Sequence, residues 1–502
     1  MNGTLRRSLQ RTKRAGWHLV LRCKATSATT ADLAHTAAIA VGANLGDRVS
    51  NIVEALKLLP AHGIEVVRQS RLYESAPAYV TDQPRFLNAA VAVRTSLQPR
   101  QLLRALKQIE ADLGRKAGGL RWGPRPLDLD IIFYDNITSE EEGLAIPHPR
   151  WHERSFVQAP VADLYAASEL GSSSAAGRMA GHLEQLHARW AQMGGERSLG
   201  STDLGCVLPL PGIGMWPWQG RSQIMGILNV TPDSFSDGGQ LPSVEAAVST
   251  AQEMVACGAD MLDIGGQSTR PGAEKLPPEV ELQRVLPVIR ALSQDEALQG
   301  VPLSIDTFYA EVAREAVAAG AHIVNDVSGG SLDPAMHQEV AHLGVPYVLM
   351  HMRGDPGTMS SREHTTYADV CMDVGDALQA SAEAATYAGI EPWRLILDPG
   401  IGFAKTAEGN CQLIGGLDRV RAQLKGPFHN APLLVGPSRK GFLGKITGHK
   451  EAKDRDKASA AAAALCVAHG AHIVRVHNVE AVRDAVRVAD AIAASLGKPY
   501  SM

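Results

Sequence analysis

The chain has little that would cross-link it or hold it in a membrane. Its 502 residues include six cysteines (Cys23, Cys206, Cys257, Cys371, Cys411 and Cys466), scattered and without a CxxC pair or zinc spacing. That usage reads as reduced thiols rather than a disulfide framework. Aromatic residues are sparse at 5%, and apolar runs such as SAAAAALCVA at 459–468 fall short of a membrane span. Net charge is only −4, with no long basic run in the body of the chain, so neither nucleic acid nor membrane is indicated as a partner. No GxxxxGKS or GxxxxGKT phosphate loop occurs, so nucleotide phosphates would have to be held by metal and arginine. The lone sequon Asn136-Ile137-Thr138 reads as chance. What is left, 45% hydrophobic and 20% charged, is ordinary for soluble globular domains, and the length suggests two to four of them.

The first 31 residues stand apart. They carry Arg6, Arg7, Arg11, Lys13, Arg14, Arg22 and Lys24, many Ser and Thr, and no acidic residue before Asp32. This composition leads us to expect a transit peptide over residues 1–34, mitochondrial before plastid. A plain basic tail on a cytoplasmic protein is the alternative.

From His35 to about Phe156 the pattern reads strand, helix, strand, strand, helix, strand. HTAAIAVG, IEVVRQSRLYES, FLNAAVAVRTS and LDLDIIFY supply the strands. PRQLLRALKQIEADLG is an amphipathic helix with Leu102, Leu103, Leu106, Ile109 and Leu113 on one face. The order βαββαβ is that of a ferredoxin-like α+β domain, expected over 35–165. Residues 166–220, rich in Ala, Gly and Ser, read as a linker carrying a helix near HLEQLHARWAQM. From 221 to 495, short apolar strands ending in a polar residue or Gly alternate with helices. Eight of them begin near 224, 261, 302, 323, 346, 395, 432 and 473. Eight such units make a TIM (β/α)8 barrel, with Asn229, Asp306, Asn325, Asp398, Lys440 and His477 gathered at one mouth. An open doubly wound sheet would not gather them.

RWGPRPLDLDI at 121–131 poses an electrostatic question. On a strand, Asp128 and Asp130 share a face about 7 Å apart and repel by roughly 2 kcal/mol at an effective dielectric near 20. Divalent metal bridging nucleotide phosphates would resolve this, with Arg115, Lys116, Arg121 and Arg125 upstream to balance phosphate charge. Together with YESAP at 73–77, DQPRFLNAAV at 82–91 and PHPRWHERSF at 147–156, the motif resembles the 6-hydroxymethyl-7,8-dihydropterin pyrophosphokinase family. The resemblance implies that Asp128 and Asp130 hold two Mg²⁺ between ATP and the pterin hydroxymethyl group, with Arg115 and Arg125 also catalytic. It implies that Phe86 and Phe156 sandwich the pterin and that Asn88 bonds its edge. Glu110, Arg121, Trp122, His148 and Arg154 would line the ATP side. Ala117 departs from the family, whose members often carry an Arg there.

In the second half, GILNVTPDSFSDGG, DIGGQSTRPGA, SIDT, IVNDVSGG, LMHM, LDPGIGF, GPSRKGFLG and RVHN occur in the order that resembles dihydropteroate synthase. The resemblance implies a pterin site of Asp306, Asn325, Asp398 and Lys440. Asn229, Arg475 and His477 would hold pyrophosphate and one Mg²⁺. Thr269 and Arg270 lie on the second loop, and Thr231, Pro232, Asp233 and Phe235 on the first. Ser438 and Phe403 would flank p-aminobenzoate. Gln267 stands where family members frequently have Glu. A two-headed folate-biosynthesis enzyme is therefore expected, using ATP, hydroxymethyldihydropterin and p-aminobenzoate, and forming a homo-oligomer through the barrel. A pterin-dependent methyltransferase barrel and a non-catalytic pterin scaffold are the competing readings.

Overall fold

The computed structural model describes residues 35–116, 118, 122–170, 174–200, 203–231 and 243–495. The expected transit segment, Ala117, Arg121, Pro232, Asp233 and Phe235 lie outside the described residues.

Five strands form the N-terminal sheet: β1 (His35–Ala43), β2 (Ile64–Gln69), β3 (Leu72–Ser75), β4 (Phe86–Thr95) and β5 (Asp128–Tyr134). Their antiparallel order is β5-β1-β4, with β2 and β3 both on the far side of β4, as the ferredoxin-like layout requires. Helices Arg48–Leu58 and Pro99–Asp112 cover one face. There Ile52, Leu56, Leu102, Leu106 and Ile109 meet Ile39, Val41, Val93 and Leu129. The stretch read as one strand, 64–75, is two because Arg71 leaves the ladder. Its backbone N–H donates to the buried Asp163 carboxylate at 2.7 Å. A small hairpin, β6 (Ser139–Glu141) and β7 (Leu144–Ile146), follows β5. Helix Ser155–Leu164 then packs on the sheet's second face.

Residues 166–220 are more than a linker. They hold the expected helix, Ala180–Gln192, and also a hairpin of β8 (Leu204–Leu210) and β9 (Gly214–Pro217). Strand β8 pairs with β3 and extends the N-terminal sheet. Leu208 and Leu210 of this hairpin, with Trp218, also pack beneath the second domain.

That domain is a barrel of eight parallel strands: β10 (Gln223–Asn229), β11 (Met261–Gly265), β12 (Leu303–Asp306), β13 (Ile323–Asp326), β14 (Tyr347–Met350), β15 (Leu395–Asp398), β16 (Leu434–Val435) and β17 (Ile473–Val476). A parallel bridge from Leu397 to Leu433 closes it. Met225, Met261, Ile323, Val348, Ile396, Leu434 and Ile473, near the N-terminal ends of their strands, share one apolar cluster with Leu208, Leu210 and Trp218. The N-terminal domain is therefore docked on the barrel floor. Polar bonds pin the junction. Arg71 Nη1 donates to the Asn430 carbonyl at 2.8 Å, and Glu169 accepts from Gly426 N–H at 2.9 Å and from Arg68 at 2.9 Å. No helix among the described residues is long and apolar enough to cross a membrane.

Candidate active sites

In the N-terminal domain, Asp128 and Asp130 sit opposite Gly42 and Ala40 of β1, and both line one cavity with Phe86, Asn88, Arg154 and Phe156. Asp128 is gripped from two sides, by Arg115 at 2.5 Å and Arg125 at 3.0 Å. Glu110 accepts from Lys107 at 2.7 Å and from Leu129 N–H at 2.7 Å, and pairs with Arg115 at 2.7 Å. Burial pushes its carboxyl upward, and these partners oppose that shift. Glu110 therefore orients the cations and the strand that bears the Asp pair, rather than facing the cavity. Lys107 also stands 3.7 Å from Asp130. Asn88 Nδ2 donates to Ser75 Oγ at 3.0 Å and to the Tyr73 carbonyl at 3.3 Å, which fixes the amide at the pocket edge. His148 is half-buried beside Asp130 and Arg154, and burial holds its imidazole below the ordinary range.

Sequence reasoning missed Asn44 and Gln83. Asn44 Oδ1 accepts from Arg125 N–H at 2.8 Å while its Nδ2 donates to Gln83 Oε1 at 3.1 Å, so it ties two walls of the cavity together.

Among the described residues, no three His, Cys, Asp or Glu side chains converge as a metal set. The Asp128 and Asp130 pair nonetheless suits Mg²⁺, which is held by one or two carboxylates completed by water and substrate phosphates. Their side chains are 25% and 34% exposed, so these oxygens are open to an arriving ion.

At the barrel's C-terminal mouth, Asn229, Asp306, Asn325 and Asp398 lie at the ends of their strands, whereas His477 follows β17 and Lys440 sits in the loop beyond β16. Arg475 is the hub. Its Nε donates to Asp263 at 2.6 Å and its Nη2 to Asp306 at 2.6 Å. Asn325 donates to the same Asp263 oxygen at 2.9 Å. Asp263 was not foreseen as a site residue, although a charge inside the apolar strand MLDIG was the available signal. The other oxygens, Asp263 Oδ1 and Asp306 Oδ1, are buried without a hydrogen-bond partner among the described residues. Burial raises Asp306 to about 7, against the pull of Arg475. Burial likewise raises Asp398 to about 6, although it accepts from Gly400 N–H at 2.7 Å.

Lys440 lies 4.0 Å from the Phe403 ring centroid, and burial lowers its ammonium to about 8. His477 Nδ1 is 3.0 Å from Ser438 Oγ, which also accepts from His477 N–H at 3.1 Å. Burial, then Arg475, drives that imidazole down to about 3, so it is neutral at physiological pH. Asn229 ends β10, and its Oδ1 and the Asp306 side chain both lie close to Gly265, where a Cβ would touch them. Thr269 is half-exposed and Arg270 exposed, on the loop after β11. Gln267 bonds Glu281 at 2.5 Å.

Lys405 was also missed. Its Nζ donates to the carbonyls of Phe403 at 2.9 Å and Gly400 at 3.0 Å and contacts His351 Nδ1 at 3.1 Å. It clamps the loop that joins Asp398 to Phe403.

Fold and sites together define a class: two pterin-handling transferases in series on one chain. Residues 38–166 match the family model of 7,8-dihydro-6-hydroxymethylpterin-pyrophosphokinase, and residues 225–477 match that of pterin binding enzymes. The mitochondrial folate synthesis bifunctional protein of Pisum sativum is 48% identical over 92% of this chain and 90% of its own length. The Arabidopsis thaliana mitochondrial counterpart is 48% identical over 91% and 83%. The solved dihydropteroate synthase of Xanthomonas albilineans with 4-aminobenzoic acid is 44% identical, with a TM-score of 0.51 over 57% of this chain and 98% of that one. The chain belongs to the family of bifunctional folate synthesis proteins.

Proposed function

We propose that the chain runs two consecutive reactions. The first transfers pyrophosphate from ATP to 6-hydroxymethyl-7,8-dihydropterin and releases AMP. The second condenses that diphosphate with p-aminobenzoate to 7,8-dihydropteroate and releases pyrophosphate. The observation that carries this reading is the pairing, on one chain, of an open carboxylate cleft ringed by guanidiniums with a barrel mouth where one arginine bridges two buried aspartates.

In the cleft, Phe86 and Phe156 hold the pterin ring and Asn88 reads its edge. The pterin hydroxyl oxygen attacks the β-phosphorus of ATP and the bond to AMP breaks. Enzymes of both families use Mg²⁺. Here Asp128 and Asp130 would hold two ions, which neutralise phosphate charge. Arg115 and Arg125 then turn from Asp128 toward the phosphates, and catalysis is positioning and charge balance.

In the barrel, the free oxygens of Asp263 and Asp306, with Asn325 and Asp398, accept from the pterin's N–H groups. Leaving them unpaired costs about 1–3 kcal/mol each, so a pterin is favoured over rings lacking those donors. The p-aminobenzoate amine attacks the methylene carbon as its bond to pyrophosphate breaks. Ser438 satisfies Nδ1 of the neutral His477, leaving an Nε2–H to donate to the departing anion. Asn229 offers one oxygen to a single Mg²⁺, and Arg270 and Lys440 add positive charge.

Dimerisation would use helices Asp456–Ala468 and Val479–Ser495, where Leu465, Val488 and Ile492 are 54%, 59% and 55% exposed. We place the protein in mitochondria, as its plant relatives are named. The test supplies the full chain with ATP, hydroxymethyldihydropterin and p-aminobenzoate. AMP, pyrophosphate and dihydropteroate should accumulate in equal amounts, and omitting p-aminobenzoate should stop all but AMP and the pterin diphosphate. Dihydropteroate without AMP would refute the sequence of reactions.

A further inference from the structure

Tyr79 belongs to the stretch AYV, to which nothing above gives a role. Its ring lies 4.9 Å from that of Trp122, tilted by 33°. The Arg150 guanidinium sits 4.6 Å from the Tyr79 centroid, and that of Arg154 sits 5.5 Å away. Arg154 Nε donates to the Tyr79 hydroxyl at 3.2 Å. Three separate segments thus meet on one phenol at the rim of the cavity that Phe86, Asp128 and Phe156 line.

Two features indicate that this meeting positions other groups. Trp122 has φ of +61°, a left-handed backbone that costs a bulky residue about 1–2 kcal/mol and persists only where neighbours enforce it. Among the described residues its neighbours include Tyr79, through the ring, and Gln83, whose Nε2 donates to the Trp122 carbonyl at 2.9 Å. Both come from the segment between β3 and β4. The second feature is charge. Arg115 and Arg125 are committed to Asp128, and Arg150 pairs with Glu153 at 3.0 Å. Arg154 has no ion-pair partner among the described residues, and its bond to Tyr79 holds it at the cavity that both residues line.

We propose that Tyr79 is a positioning residue of the pyrophosphokinase site: it holds Trp122 and the free guanidinium of Arg154 as a preassembled cation–aromatic wall for the ATP triphosphate and base. This rests on the pyrophosphokinase reading above. A triphosphate that meets cations already in place loses less affinity to ordering side chains, so the contribution falls on ATP binding rather than on the transfer step.

The test uses the full chain, wild type, Tyr79→Phe and Tyr79→Ala, with AMP release measured against ATP and pterin concentration. Condensation of supplied pterin diphosphate with p-aminobenzoate serves as the folding control in each preparation. Tyr79→Ala should raise KM for ATP by about tenfold or more, with kcat within about threefold. Tyr79→Phe keeps the stack, loses the hydroxyl bond, and should recover most of that loss. An unchanged KM for ATP in Tyr79→Ala would overturn the proposal. So would an equal rise in KM for the pterin, or loss of the condensation control, because each makes Tyr79 a general structural residue. A wild-type chain that releases no AMP would instead sink the pyrophosphokinase reading, and the proposal with it.

Discussion

The two heads handle aspartates in opposite ways. In the cleft, Asp128 and Asp130 are 25% and 34% exposed, held by arginines and a lysine. At the barrel mouth, Asp263 and Asp306 are 0% and 8% exposed and share a single guanidinium. On the proposed reading the cleft is assembled around substrate: its ions and phosphates would arrive with ATP, and until then its arginines are held on Asp128. The barrel mouth is built in advance, with Arg475 offsetting two buried charges before any ligand enters. Buried carboxylates of this kind are costly unless paired, which is why the fold commits an arginine from the last strand to them.

The largest break in this comparison should come from Arg475→Met. It strands Asp263 and Asp306 in the interior, and condensation should fall by about 10²–10³-fold while AMP release stays within about twofold. Separate assays of the two half-reactions check this, and equal loss of both would show the heads are not independent.

The pH response should also separate the heads. Asp306 at about 7 and Asp398 at about 6 hold protons that the unfolded chain has released above about pH 4. The folded state therefore binds more protons through that window, and this contribution to stability falls as pH rises from about 4 to 7. Condensation kcat/KM should rise over the upper part of the same window as Asp306 ionises. The AMP-releasing reaction should lack that limb, and a shared acid limb in both pH profiles would contradict the assignment.

A smaller effect is expected from Lys405→Met. Loss of its bonds to the Gly400 and Phe403 carbonyls loosens the loop that carries Phe403, and on the proposed reading should raise KM for p-aminobenzoate about tenfold. Smallest of all, Ser75→Ala frees one Asn88 donor and should raise KM for hydroxymethyldihydropterin about threefold, leaving condensation unchanged.

Much of this was legible in the sequence for a local reason. The barrel strands are apolar runs stopped by a polar residue or Gly, so Leu-Ile-Leu-Asp398 and Leu-Ser-Ile-Asp306 announce both the strand and the polar end it presents at the mouth. The hairpin 204–217 hid because Pro209 argues against a strand and its partner β3 lies far back along the chain. Helix Ser155–Leu164 hid behind Pro160 in its middle. Asp263, Lys405 and Tyr79 stood in plain view within quoted motifs or beside them. What each does depends on a partner far along the chain, and spacing does not encode that. Asp263 needs Arg475, Lys405 needs His351, and Tyr79 needs Arg154.

The most direct test of two independent sites in series uses full-length chains carrying Asp128→Ala or Asp130→Ala, assayed for dihydropteroate. With ATP, hydroxymethyldihydropterin and p-aminobenzoate, each should form none. With pterin diphosphate supplied instead, each should match the wild type within about twofold. Dihydropteroate formed from ATP and the hydroxymethyl compound by either variant would contradict the assignment of the Asp pair, and failure of the supplied diphosphate to restore synthesis would contradict the independence of the barrel.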